Sequence, residues 1–335
     1  MELFAEDSVA RILEVRNGLQ RVELKSGERA YVLTDLLGES SIGDRVVINK
    51  AAINLALGTG GWHVVHWNLS RSPEDYSAPG HIMKMRYTSL QHPSVAIEEM
   101  YQEPVIELSQ RLQDKKVLVS GLHSQVGVAV IAARYFLPDA KITYVMTDGG
   151  ALPLALSELV SRLRDTDALT HTISAGQSFG GDYESLTVVG GVAAAFEFLH
   201  SDVVIVGMGP GVAGTSTRVG NSALECLAIS ETLASLGARV QYALRMSNTD
   251  PRERHRGLSH HSQTVMDLLT ARVRISAPAS YAGSDIADSV PREVVEHLLS
   301  RLKKEEWLPT SMGRGINEDP LFYEATLAAV QGLLG

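Results

Sequence analysis

Cysteine is nearly absent from this 335-residue chain, and so are long apolar runs and any excess of positive charge. The single cysteine, Cys226, permits no intrachain disulfide. It falls on the apolar side of a helical pattern and reads as buried filler rather than as a nucleophile. No apolar run approaches the roughly 18 residues of a membrane span, and no basic-then-apolar segment opens the chain. The expectation is a soluble, cytoplasmic protein with no membrane partner. A formal charge of −9 and a pI near 5.7 argue against nucleic acid as a bulk electrostatic partner. Motifs are missing too. No G-K-[ST] triplet exists, which excludes a P-loop. Gly121-x-x-Ser124 lacks the spacing of a nucleophile elbow, so an α/β-hydrolase serine is not expected. No H-x-x-x-H or H-E-x-x-H spacing occurs, so the chain has no standard zinc signature.

What is present divides the chain. Residues 9–67 carry about five short β patterns separated by turn signals such as Asn17-Gly18 and Ser26-Gly27. They predict a small all-β barrel, OB-like or SH3-like, over residues 1–70. This barrel shows no stripe of aromatic and basic residues and reads as a scaffold or interaction module. Residues 71–115 read as a connector. Within it His81, Lys84, Arg86 and Tyr87 suggest either an arm lending cations to a neighbouring site or a plain packed linker, and Ile97–Leu112 reads as a helix broken at Pro104. From Lys116 the pattern strand, loop, helix repeats six times, which predicts an α/β, Rossmann-like domain over 116–310 with a parallel sheet covered on both faces. A polar turn (311–319, with Arg314, Asn317 and Asp319) and a final helix, Leu321–Leu334, complete the chain. That turn either closes over a site or lies on the surface.

Every glycine-rich, polar loop in the α/β region follows a strand, whereas the reverse connections are short and bland. In open parallel sheets ligands sit outside the carboxyl ends of the strands, so one edge of the sheet is expected to carry a site. The central stretch is 202–222, DVVIVGMGPGVAGTSTRVGNS, in which an apolar strand turns into a loop with five glycines and then a helix. Gly209, Gly211 and Gly214 let backbone approach a ligand. The hydroxyls of Thr215, Ser216 and Thr217, the loop N–H groups and the helix N-terminus all favour an anion. Gly209-x-Gly211-x-x-Gly214 matches a dinucleotide fingerprint in spacing, but the third glycine still lies in loop and the next strand ends near Arg245 rather than at an acidic residue.

The densest loop is 245–264, RMSNTDPRERHRGLSHHSQT. It holds Arg245, Arg252, Arg254 and Arg256 beside His255, His260 and His261. Arginine forks suit phosphate or carboxylate, and histidine suits acid–base work near neutral pH. Because His260 and His261 are adjacent, one is expected to face the site and the other to pack or orient. Other loops contribute His123, Ser124, Asp148 and Asp182, although either aspartate also fits a capping or turn role. Three readings follow. The first is an enzyme acting on a small anionic ligand, with phosphorylated metabolites among the candidates, His260, His261, His123, Asp148 and Asp182 as catalytic candidates, and the glycine loop, Ser124, Arg245, Arg252, Arg254 and His255 as binding candidates. The second is a metal-dependent hydrolase using the clustered histidines and aspartates, with a divalent metal as cofactor. The third is a non-catalytic sensor or assembly protein whose barrel binds a partner. Homo-oligomers are compatible with all three.

The stretches LGTGG (57–61), MTDGGALPLALS (146–157), GPGVAGTSTRVGNS (209–222) and RHRGLSHHS (254–262) resemble a bacterial family, mainly Gram-positive, described only as a domain of unknown function. The resemblance spans nearly the whole chain. It implies a bacterial, cytoplasmic origin and brings no activity or catalytic residue with it.

Overall fold

The computed structural model describes residues 2–55, 60–72, 79–100, 112–150, 152–270, 272–281 and 288–335. The LGTGG turn lies partly outside these residues, and so does most of the helix expected between Ile97 and Leu112, of which Ile97–Glu99 forms a 3-10 turn. The chain forms two compact units, Met1–Ser94 and Val95–Gly335. The stretch 71–115 is therefore divided between them rather than standing alone. Among the described residues no helix is long and apolar enough to cross a membrane.

The first unit contains a closed barrel of five strands, β1 (Phe4–Arg16), β2 (Leu19–Leu24), β3 (Arg29–Leu33), β4 (Arg45–Asn49) and β5 (His63–Asn68), in the order β1-β2-β3-β5-β4. The β3–β5 pair is parallel and the other pairs are antiparallel. Alternate residues point inward, so Val9, Val22, Leu24, Val32, Val46, Ile48 and Val65 fill the interior. A short antiparallel pair follows, β6 (Ile82–Lys84) and β7 (His92–Ser94). One expectation is overturned here. Tyr31 and Trp62 stack with centroids 5.0 Å apart, and the guanidinium groups of Arg29 and Arg21 lie over Trp62 at 4.6 and 5.4 Å. The barrel thus has an aromatic–arginine cluster. It was hidden because its members are far apart in sequence and meet only through the register of β2, β3 and β5. Arg21 is also paired with Glu14 at 2.7 Å.

The second unit is built on eight strands, all parallel. They are β8 (Lys116–Ser120), β9 (Ile142–Met146), β10 (His171–Ala175), β11 (Tyr183–Ser185), β12 (Val203–Gly207), β13 (Arg239–Ala243), β16 (Arg274–Pro278) and β17 (Asp288–Val290). The intervening β14 (Met246–Ser247) and β15 (Gly257–Leu258) form a separate antiparallel pair. The sheet order is β11-β10-β9-β12-β8-β13-β16-β17. The six long apolar patterns form six of these strands. The two extra strands are three-residue edges that pair without a strong apolar run. Central strands such as Val203–Gly207 are buried throughout, as expected for a sheet covered on both faces.

Helices Val188–Glu197 and Glu225–Ser235 pack on one face. Helices His123–Phe136, Glu158–Asp165 and Arg292–Leu302 pack on the other, together with most of Pro320–Leu334. The final helix is therefore no appendage. Phe322, Tyr323, Leu327 and Val330 are essentially buried in the core of this unit.

The topology creates a switch point. The helix after β8 covers one face and the helix after the neighbouring β12 covers the other. Adjacent strand ends whose chains depart to opposite faces leave a crevice between them. Gly207 closes β12 at this point. A Cβ there would lie 2.7 Å from Ser120 Oγ and 2.8 Å from Val126 Cγ2. Gly207→Ala is therefore expected to destabilise the protein by about 1–3 kcal/mol through overpacking. Urea unfolding would show this as a lower midpoint at unchanged slope.

Candidate functional site

The crevice is lined first by the loop after β8. His123 begins its helix with Nδ1 3.1 Å from the Met208 carbonyl and Nε2 2.6 Å from Ser157 Oγ. One tautomer satisfies both, with Nδ1–H donating to Met208 and Nε2 accepting from the serine hydroxyl. Ser157 Oγ also accepts from Val160 N at 3.0 Å and so caps the helix Glu158–Asp165. The Tyr144 hydroxyl donates to the carbonyls of Gly207 and Met208. His123 is thus a tie between β8, β12 and the following helix, with both nitrogens engaged. Burial pushes its pKa down to about 4. Beside it a cavity of about 460 Å³ opens, lined among others by Leu122, Ser124, Leu159, Val212, Trp307 and Met312. A larger depression of about 560 Å³ lies at the opposite edge of the sheet, among Asp114–Lys116 and Leu137–Ala140. It is bordered by the short reverse connections and gathers no histidine.

The glycine loop departs from β12. Gly209 packs against Met146 and Leu152, where a Cβ would come within 2.8 and 3.0 Å. Gly211 has φ +108° and is exposed. Beyond it the loop folds on itself through a bridge between Gly214 and Asn221. Thr215 N donates to Gly220 O at 2.7 Å. Thr215 Oγ1 bonds Thr217 Oγ1 and Gly220 O, and Ser222 Oγ bonds both the N–H and the carbonyl of Ala213. Ser216 sits exposed at the tip. Most of the hydroxyls therefore stabilise the loop itself. At the helix that follows, Glu225 occupies the first turn and accepts from Thr147 Oγ1 at 2.5 Å. Burial, aided by Asp148, raises the Glu225 pKa. A carboxylate already in place at this N-terminus competes with any external anion.

The histidine–arginine loop follows β13 and is pinned by the β14–β15 pair. Its centre is Asp250, which is fully buried. Arg252 grips it with Nε and Nη2, both at 3.0 Å. Arg245 Nη2 approaches at 3.2 Å and Arg314 Nη2 at 3.4 Å. Burial alone would raise the Asp250 pKa, but the bonds and charge of Arg252, with Arg245, outweigh it and hold the carboxyl well below the usual range. Arg314 also pairs with buried Asp319 at 3.2 Å. Arg254 is exposed and makes no ion pair among the described residues.

Around this hub stand the three histidines. Their ring centroids are 4.3–4.9 Å apart, and one nitrogen from each lies within 4.8 Å of the others. His255 is 1% exposed and His261 5%, while His260 is part-buried. His255 Nδ1 meets Ser259 Oγ at 2.7 Å. His255 Nε2, His260 Nε2 and both nitrogens of His261 are buried without a hydrogen-bond partner among the described residues. Burial, reinforced by the arginines, lowers the pKa of His255 to about 3. Burial, with His260 and the arginines, lowers that of His261 to about 4. His260 is shifted the same way, by burial and then by Arg254. All three imidazoles are thus neutral at pH 7. The expectation that only one of His260 and His261 faces the site is overturned. Ser259 caps the helix His260–Met266, and in its first turn both rings lean toward His255.

The two loops meet. A Cβ at Gly214 would lie 2.9 Å from Cε1 and from Nε2 of His261, and Arg218 of the glycine loop pairs with Asp267 at 2.7 Å. The structure therefore gathers Gly214, His255, His260, His261, Arg245, Arg252 and Arg254 in one place. Gly209, Gly211, His123 and Ser124 lie on the neighbouring stretch of the same rim. Asp148 is also on the rim, against Gly176. Asp182 is not. Its Oδ2 accepts from Thr172 N and Oγ1, and its Oδ1 pairs with Arg164 at 2.6 Å. Thr172 lies at the amino end of β10, so Asp182 is at the opposite edge and leaves the candidate site.

Sequence reasoning passed over Glu225, and it did not bring Asp250 of the histidine–arginine loop together with Arg314 of the later turn. It also passed over Gly176-x-Ser178-x-Gly180, which has the spacing of a nucleophile elbow. The structure rejects that role. Ser178 is fully buried, its Oγ donates to the Thr147 carbonyl at 2.7 Å, and the edge strand β11 follows where an elbow needs a helix.

Two outcomes follow. Asp250→Asn leaves the buried arginines short of their counter-charge and is expected to destabilise the fold by about 3–5 kcal/mol, measurable by chemical denaturation. His123 has a folded pKa of about 4 against about 6.5 unfolded. The unfolded chain binds the proton first, so the His123 contribution is complete above pH 6.5 and is lost as pH falls toward 4. The loss is at most about 3 kcal/mol, and His123→Gln is expected to flatten this part of the pH–stability curve.

A search of curated proteins found no match to this chain. The family described as a protein of unknown function, DUF3866, matches residues 29–330, which include most of the barrel and both loops of the site. The chain belongs to this family.

Proposed function

We propose that the protein is an enzyme acting on a small anionic metabolite at the carboxyl edge of its parallel sheet, with hydrolysis or group transfer as the reaction class. The observation that carries this reading is the packing of Gly214 against His261, which joins the glycine loop to the histidine–arginine loop. Both are long, polar and placed after adjacent or near-adjacent strands, where open parallel sheets bind ligands.

The roles divide by availability. Arg245 and Arg252 are committed to Asp250, so they lend positive field rather than direct contacts. Arg254, exposed beside His260, is the guanidinium suited to grip a phosphate or carboxylate. The neutral imidazoles of His260 and His261 supply nitrogen lone pairs beside the place where the substrate's charged group would sit. The cavity next to His123, with Leu122, Trp307 and Met312 on its walls, suits the less polar body of the substrate. The glycine loop serves by shape: its backbone at Gly214 lies where any side chain would strike His261.

Calorimetric titration with inorganic phosphate and a panel of phosphomonoesters and small carboxylates tests this. At least one is expected to bind, about 10-fold or more weaker in Arg254→Ala, as for the loss of a charge-assisted hydrogen bond. Gly214→Ala should weaken binding or turnover at least as much while the thermal midpoint stays near wild type. Equal binding by wild type and both variants, or no binding across the panel, would remove the reading.

A further inference from the structure

We propose that His255, His260 and His261 form the binding site of one divalent transition-metal ion per chain, with zinc as the fitting occupant. The substrate role of that ion rests on the function proposed above, but the site stands on its own geometry.

Three facts carry it. The first is unmet hydrogen-bonding capacity. Four imidazole nitrogens are buried with no partner among the described residues, and two of the three side chains are more than nine-tenths buried. Buried polar groups in folded proteins are nearly always satisfied. A cation bound by one nitrogen from each ring would satisfy three of the four, and the fourth, on His261, would carry the N–H of the neutral ring. The second is spacing. One nitrogen per ring already falls within 4.8 Å of the others. Bonds of about 2.0–2.1 Å from a tetrahedral zinc need nitrogens about 3.3 Å apart, so ring movements of about an ångström complete the set. The third is the support of His255. Its Nδ1 faces Ser259 Oγ at 2.7 Å, which leaves Nε2 as the ligand atom. A ligating histidine held at its other nitrogen by an oxygen is the usual arrangement at metal centres.

Charge is consistent with this assignment. Histidine ligates only when neutral, and burial with Arg245, Arg252 and Arg254 keeps these rings neutral. The same arginines oppose a bare cation. Two of them are tied to Asp250, and an anionic ligand at the ion's open position offsets the rest. Three protein nitrogens would leave a fourth position free, as in catalytic rather than structural zinc sites, and Arg254 is the exposed guanidinium next to the triad. The predicted substrate is therefore an ester or anhydride whose phosphate or carboxylate oxygen would ligate the metal while pairing with Arg254. The ion would supply Lewis acidity, water oxygen would bond to the phosphorus or acyl carbon as the bond to the leaving oxygen breaks, and water's two protons would go to the leaving oxygen and to solvent.

Chelator-stripped full-length protein titrated with zinc alone is expected to bind one equivalent. Cobalt in its place should show the intense visible absorption of a four-coordinate ion. His260→Ala, at a part-exposed position, should lower zinc affinity about 100-fold or more while the metal-free melting temperature holds. His261→Asn gives a second test should the first variant misfold, and Ser259→Ala should cost about 10–100-fold. Absence of stoichiometric binding in wild type, or unchanged affinity in a folded His260→Ala or His261→Asn, overturns the proposal. The two readings fail separately. Zinc bound by the triad with no anion dependence on Arg254 would sink the substrate assignment alone. Anion binding lost in Arg254→Ala, in protein that takes up no zinc, would sink the metal site alone.

Discussion

One buried carboxylate organises this rim of the sheet. Asp250 draws Arg245 from the end of β13, Arg252 from the following loop and Arg314 from the segment before the last helix. These residues span the last quarter of the chain, and each guanidinium needs a counter-charge to leave water. Removing the carboxylate leaves several cations in a poorly solvated place, so the loop's conformation depends on it. Arg256 adds to the anchor through a bond from Nε to the Asp250 carbonyl at 3.0 Å. This knot fixes the stretch of loop that leads into the histidines.

That knot also sets the chemistry of the neighbouring rings. An imidazole in water carries a proton about half the time near pH 6.5. Here withdrawal from solvent and nearby guanidinium charge both oppose protonation, so the rings stay neutral well below neutrality. A neutral imidazole offers a lone pair. Buried imidazole nitrogens this close together and without partners are unfavourable unless something electron-deficient lies between them. The arginines thus keep the imidazole lone pairs free of protons, which is the state that the proposed metal site requires.

The chain's periodic patterns made most of the architecture legible. Six apolar runs became six sheet strands, and the turn signals of residues 9–67 became a barrel, because strand burial and turn chemistry are local properties. The misses share one cause. Asp182 looked like a rim residue because it stands in a glycine-rich loop after a strand, but the chain there makes a further edge strand, β11, which carries Asp182 to the other end of the sheet. The Tyr31–Trp62 stack, the hub at Asp250 and the approach of Gly214 to His261 each join residues more than 25 positions apart or depend on side chains from separate segments. No window of sequence displays such meetings. His260 and His261 were separated on paper by ideal helical angles. In the structure the first turn after Ser259, where the chain is still entering the helix, lets both rings share one side.

The glycine loop is the instructive case, because most of the features its composition offered to an anion are engaged within the loop itself. Its hydroxyls suggested donors for an anion, yet Thr215, Thr217 and Ser222 spend their bonds on the loop's own backbone. Its helix N-terminus suggested a positive dipole end, yet Glu225 already sits there. What remains is steric. At Gly214 the backbone passes so close to His261 that a methyl group would displace the ring. The loop's folded hairpin is rigid enough to hold that edge in position, which a loop with its hydroxyls free for a ligand would not be. On this rim Gly214 sets the approach of one loop to the other, and the histidines are the side chains it abuts.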